Sequence, residues 1–184
     1  MTKSGSVYIR VAFAGLIATF VMTMIGFWQA GVGLPAIDVG AMLTASMNRA
    51  HEGTPYGFWA GNLAHFANGV LLAYIFVFLV RDHLPRGWLV QGLAYALLTT
   101  LVAGLVVVPL ASPAGVFFVN APNTVMMALA SFIVHIAYAL ALTATLRIIE
   151  IESVEERDAT DAGTRNRAET RVHRPLSPPA PTPA

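Results

Sequence analysis

Four long apolar runs divide this chain, each separated from the next by a short stretch of polar, charged or proline residues. The clearest is Gly57 to Val80, GFWAGNLAHFANGVLLAYIFVFLV. As a helix at 1.5 Å per residue this run reaches about 36 Å, enough to cross a hydrocarbon core of about 30 Å with some tilt. Similar runs at about 11–30, 88–108 and 123–148 predict three more spans. The pattern therefore predicts an all-α, four-helix transmembrane bundle.

Polar and small residues inside the runs fall at helical steps, which places them on one side of each helix. In the second run these are Asn62, His65, Asn68 and Gly69, and in the fourth Asn123, Met127, Ser131, His135 and Tyr138. Both stripes should face protein and not lipid. The first run carries Gly15, Thr19, Thr23 and Gly26, a seam of small residues that permits close approach of a neighbouring helix. The third offers only mild polar points, Tyr95, Thr99, Thr100 and Gly104.

The connections are less regular. Between Gly31 and Tyr56, Pro35 suits a first helical turn, and Ile37, Met42, Leu43 and Met47 follow at near-helical spacing, predicting a short interfacial helix. Asp38 falls in its first turn, where the helix dipole favours a carboxylate. The charges from Arg81 to Arg86 and the stop at Pro85 predict a tight turn. The uncharged stretch Pro109 to Pro122, with Phe117 and Phe118, is expected to fold over the end of the bundle. After Ile149 the composition changes. A charged surface helix extends to about Glu156, and the rest, ending in a proline-rich segment, has too few large apolar groups to offset the entropy of ordering. Residues 1–149 thus form the transmembrane domain and 150–184 a disordered tail.

Composition agrees with this reading. Of 184 residues 56% are hydrophobic and 11% charged, against about a quarter charged in soluble domains, and the mean hydropathy is +0.64. The lipid bilayer is the expected partner, and nucleic acid is not. No cysteine is present, which excludes disulfides, thiolate metal sites and cysteine nucleophiles. Lys3 and Arg10 before an apolar run resemble a signal peptide, but the run is long and lacks an Ala-x-Ala site, so it is read as a retained span. Lys3, Arg10, Arg81, Arg86 and Arg147 fall on one face of the four-span topology and only Arg49 on the other. The positive-inside rule then places both termini in the cytoplasm, in a bacterial inner membrane.

Intramembrane ionisable groups are functional candidates by default. His65 and His135 could ligate one haem b from opposite faces, although helix starts near Phe58 and Asn123 put them about 10 Å and about 18 Å along their helices, an axial mismatch. Thioethers and imidazoles suit Cu(I), so Met22, Met127 and His65 could form part of a copper site. The plainer role is structural, with His65 hydrogen-bonded to Asn62 or Asn68 and His135 to Ser131 or Tyr138. No catalytic triad, paired intramembrane carboxylates or phosphate loop is present, so no enzyme is expected. A small transporter or channel lacks a buried carboxylate.

The segments GLIATFVMT, GLPAIDVGAML, LAHFANGVLLAYIF and VVPLASPAGVFF together resemble a family of small bacterial four-pass integral membrane proteins of unknown function. The likeness covers about residues 11 to 146 and excludes the tail. It implies a four-helix membrane unit with Pro35, Asp38 and His65 at recurring positions, and no reaction. The expected function is a non-enzymatic accessory or scaffold component of a membrane complex, its first-span seam and charged tail available to a partner protein or a second copy. A haem or copper carrier and a small transporter or channel are the alternatives.

Overall fold

The structure, a computed structural model, describes residues 3–47, 49–107 and 115–172, with side chains from 7–47, 50–107 and 115–150. The described residues form five helices and no strand: α1 (Lys3–Trp28), α2 (Val39–Met47), α3 (Pro55–Ile75), α4 (Trp88–Thr99) and α5 (Thr124–Val172). Four stretches are long and apolar enough to cross a membrane, Val7–Val32, Pro55–His83, Trp88–Val107 and Thr124–Glu150. They overlap the four expected spans, and the protein is multi-pass by this criterion. The apolar Phe13, Leu63, Leu71 and Leu101 are exposed, as lipid-facing side chains would be.

Helix α3 is the hub. Its buried residues, Gly57, Gly61, His65, Gly69 and Ala73, recur every four positions and form one narrow groove down the helix. Helix α1 lies in the lower part of this groove. A Cβ added to Gly15 would stand 2.9 Å from Ala73 Cβ and 3.0 Å from Val70 Cα, and one added to Gly69 would collide with the Thr19 hydroxyl. The small-residue seam of the first span is therefore filled from within the chain. Helix α2 lies in the upper part, where a Cβ on Gly61 would strike the Gly40 carbonyl and Thr44. Thr44 Oγ1 ties the pair by donating to Gly57 O at 2.6 Å, with Gly40 O of its own helix 3.0 Å away.

The other two helices are tied to α3 by tyrosines. Tyr95 Oη of α4 donates to Leu72 O at 2.7 Å, and Tyr138 Oη of α5 donates to Gly69 O at 2.6 Å. Helix α4 packs on α5 at Gly92, where a Cβ would lie 2.8 Å from Leu140 Cδ2 and from Thr143 Oγ1.

Two helices widen toward their C-termini, a feature absent from the sequence reading. Phe76–Val80 continues α3 and Thr100–Val107 continues α4 in π-helical geometry. Just before the second, Thr99 and Thr100 hydroxyls donate to Tyr95 O and Ala96 O at 2.8 and 2.7 Å. Such back-bonding competes with the regular backbone ladder and bends helices.

Helix α2 begins at Val39 and not at Pro35, so Asp38 is not in its first turn but just before it, where its Oδ1 caps the helix by accepting from Ala41 N at 2.9 Å. Thr54 likewise caps α3, one turn earlier than expected, accepting from Gly57 N, with Pro55 at the first helical position. Helix α5 runs through Val172, farther than the extension to Glu156 that composition suggested. No proline interrupts the chain between Pro122 and Pro175 and Gly163 is the one glycine after Gly115, so nothing stops the backbone ladder. The part of α5 from Ile148 onward belongs to a unit of its own, separate from the described residues up to Arg147. The proline-rich end, 173–184, and part of the expected cap, 109–114, lie outside the described residues.

Candidate ligand site inside the bundle

The groove of α3 is interrupted once by a large polar side chain, His65, and there the helices separate around a cavity. About 30 Å³ is open to the centres of water molecules, enough for about two waters. All five helices and the turn before α5 supply its walls. His65, Asn68 and Gly69 come from α3, Met22 and Thr19 from α1, Met42 from α2, Ser131, His135 and Tyr138 from α5, and Phe118 from the turn before α5. The π-helical part of α4 contributes Ala103 and Gly104. Segments of this geometry are frequent at functional sites.

His135 is held by its own helix. Its Nδ1 lies 2.7 Å from Ser131 O. A carbonyl only accepts, so Nδ1 carries the proton and the neutral ring keeps its lone pair on Nε2. Gly104 makes room for the ring, because a Cβ there would lie 2.7 Å from His135 Cε1 and would strike Ser131 Oγ.

His65 is held across a helix interface. Its Nε2 lies 3.1 Å from Thr23 Oγ1, and the Thr23 hydroxyl lies 2.8 Å from Thr19 O. The single hydroxyl proton goes to the carbonyl, so His65 Nε2 donates to Thr23 and the lone pair resides on Nδ1. Neither His135 Nε2 nor His65 Nδ1 forms a hydrogen bond with a described residue. Both histidines are buried at 5% exposure, and each brings one lone pair to the neighbourhood of the same cavity.

His65 has a partner other than the two asparagines expected, and His135 keeps one of its two, Ser131. Asn62 and Asn68 flank His65 at three residues on either side, and Asn62 Nδ2 instead donates to Phe58 O at 2.9 Å. Ser131 serves His135 through its carbonyl and not its hydroxyl, and Tyr138 is committed to Gly69. The axial mismatch between the histidines also disappears. Because α3 begins at Pro55 and α5 at Thr124, the two lie about 15 Å and about 17 Å along their helices.

Of the residues singled out from sequence, His65, His135, Met22, Asn68, Ser131 and Tyr138 meet at this cavity. Asp38 and Asn62 line a smaller adjoining one of about 10 Å³, which also borders His65. Met127 borders neither cavity. Met42 takes the place expected of it, from a helix whose turn toward the bundle the spacing did not reveal. Thr23 was read only as part of a seam, yet it sits four residues after Thr19 and can reach across to α3.

The cavity has no room for a porphyrin between the histidines. A single ion is different. His65, His135, Met22 and Met42 line one small space, and imidazole and thioether groups suit a soft monovalent metal such as Cu(I). His135 donates its other ring N–H to a backbone carbonyl, the second interaction that metal-ligating histidines usually make. No group of three or more His, Cys, Asp or Glu gathers among the described residues.

Comparison with protein-family models, with curated proteins and with solved structures finds no match.

Proposed function

We propose that this protein is a membrane-embedded metal carrier whose four-span body holds one Cu(I) ion among His65, His135, Met22 and Met42. The observation that supports this is the convergence on one small cavity of two buried histidines from different helices, each with a ring nitrogen that makes no hydrogen bond to a described residue.

The bias of Lys3, Arg10, Arg81, Arg86 and Arg147 over Arg49 supports cytoplasmic termini in a bacterial inner membrane. In that orientation α2 is the interfacial helix and lies on the outer side, with the Asp38 end of the site toward the periplasm. The accessory or scaffold reading loses one of its two supports, because the first-span seam is already filled by α3. The resemblance to small four-pass proteins is compatible with either function.

The test is equilibrium loading of detergent-purified full-length protein with Cu(I) against a colorimetric Cu(I) chelator. One equivalent should be retained by the wild type. His135→Ala, His65→Ala and Met22→Leu should each weaken retention by at least tenfold, and Met127→Leu should not. Retention unchanged by both histidine substitutions would refute the site.

A further inference from the structure

The internal cavity does not stand alone. His65, Met22, Ile37, Val39 and Val134 are shared with the adjoining cavity of about 10 Å³, and Asp38 is part of that second wall. Asp38 also lines a third space, an open pocket of about 430 Å³ between α2 and the start of α3. The three spaces therefore follow one another from the surface pocket past Asp38 to His65 and on to His135.

The walls have a sign. Asp38 and Glu52 both border the open pocket, and no lysine or arginine is among the described residues that line it. Thr44 and Thr54 add hydroxyls, and Pro55 and Phe58 complete the wall. A pocket lined by one sign of charge raises the local concentration of the opposite ion. Asp38 is fixed in place because its carboxylate caps α2 at Ala41 N. The neck beyond it is at the lower limit for a single water, so it would pass a bare or nearly bare small ion and exclude bulky solutes.

We infer that Asp38 marks a cation-selecting access route that connects the open pocket between α2 and α3 with the buried cavity at His65 and His135. The route rests on the internal-site reading for its destination, but its test needs no copper. The absence of cysteine allows one thiol to be placed without background. Ser131→Cys sets it in the inner wall, and Val39→Cys, in the shared wall, serves if the first variant fails to fold.

Two small thiol reagents are then compared on the full chain in detergent, Ag⁺ as the cation and hydrogen peroxide, little larger than water, as a neutral probe. Each is followed by maleimide labelling of remaining thiols after denaturation. Asp38→Asn keeps a good capping residue while removing the charge, and it should slow Ag⁺ by about threefold to tenfold while leaving the neutral reagent unchanged. Ala41→Trp, which fills the open pocket, should slow both. Ag⁺ rates indifferent to Asp38→Asn and to Ala41→Trp would overturn the route, as would a thiol that never reacts in the folded protein. Copper retention with an Ag⁺ rate indifferent to Asp38 would leave the metal site standing and remove only the route; the reverse pattern would do the opposite.

Discussion

Gly69→Ala isolates the contact on which the bundle turns. An alanine Cβ at this position would collide with the Thr19 hydroxyl and lie 3.0 Å from Thr19 Cβ and 3.1 Å from Cγ2. Thr19 cannot swing away freely, since it is fully buried at 0% exposure and its Oγ1 donates to Gly15 O at 2.7 Å. The neighbouring contact of Gly15 with Ala73 and Val70 blocks relief by sliding α1 along α3. Overpacking of this kind costs about 2–3 kcal/mol, at the upper end of its usual range. Helix propensity returns about 1 kcal/mol for replacing glycine by alanine, leaving a net loss of about 1–2 kcal/mol. In a Thr19→Ala background the hydroxyl and Cγ2 are gone and only the 3.0 Å contact with the Cβ of residue 19 is left, so most of the overpacking is relieved and the propensity gain dominates. A double-mutant cycle should show a coupling of about 2–3 kcal/mol, read by reversible unfolding in mixed micelles. Equal cost of Gly69→Ala with and without Thr19 would refute this packing.

Three further outcomes are expected. Gly104→Ala would push a Cβ against Ser131 Oγ and to 2.7 Å from His135 Cε1, so Cu(I) retention should fall several-fold, whereas Gly31→Ala, with nothing within 4 Å, should leave it unchanged in the same chelator assay. Gln29 is buried at 3% exposure with neither amide atom hydrogen-bonded, so Gln29→Met should stabilise the fold by about 1–3 kcal/mol in micelle unfolding. Phe117 is exposed yet holds a left-handed backbone at φ 55°, and Phe117→Gly should raise stability by about 1 kcal/mol in that same measurement.

Much of this architecture was legible in the pattern of residues. Runs long enough to span lipid admit few structures, because every backbone group must be satisfied within the segment, and the four helices sit close to where hydropathy placed them. The stripe containing His135, Ser131 and Tyr138 was readable for the same reason, since a four-residue step fixes a face. Which helix meets that face was not. The glycines at 57, 61 and 69 carry no hydropathy signal, although their spacing with His65 is what admits α1 and α2 so closely. Ser131 was readable as a partner of His135, whereas that of His65 was misjudged, because Asn62 bonds its own helix at Phe58 O and Thr23 reaches His65 from another. The π-helical segments and the left-handed turn at Phe117 and Phe118 carry no hydropathy signal, and only the adjacent Thr99 and Thr100, with their back-bonding hydroxyls, mark the second segment in the chain.

The central claim is that His65 and His135 present lone pairs to one shared ion. X-ray absorption of the full-length protein loaded with one equivalent of Cu(I) tests it most directly. The account expects a first shell containing both nitrogen and sulfur, with nitrogen lost in the His65→Ala, His135→Ala double variant and sulfur lost when Met22 and Met42 become leucine. A shell unchanged by these substitutions, or a wild-type protein that holds no copper after desalting, would contradict it.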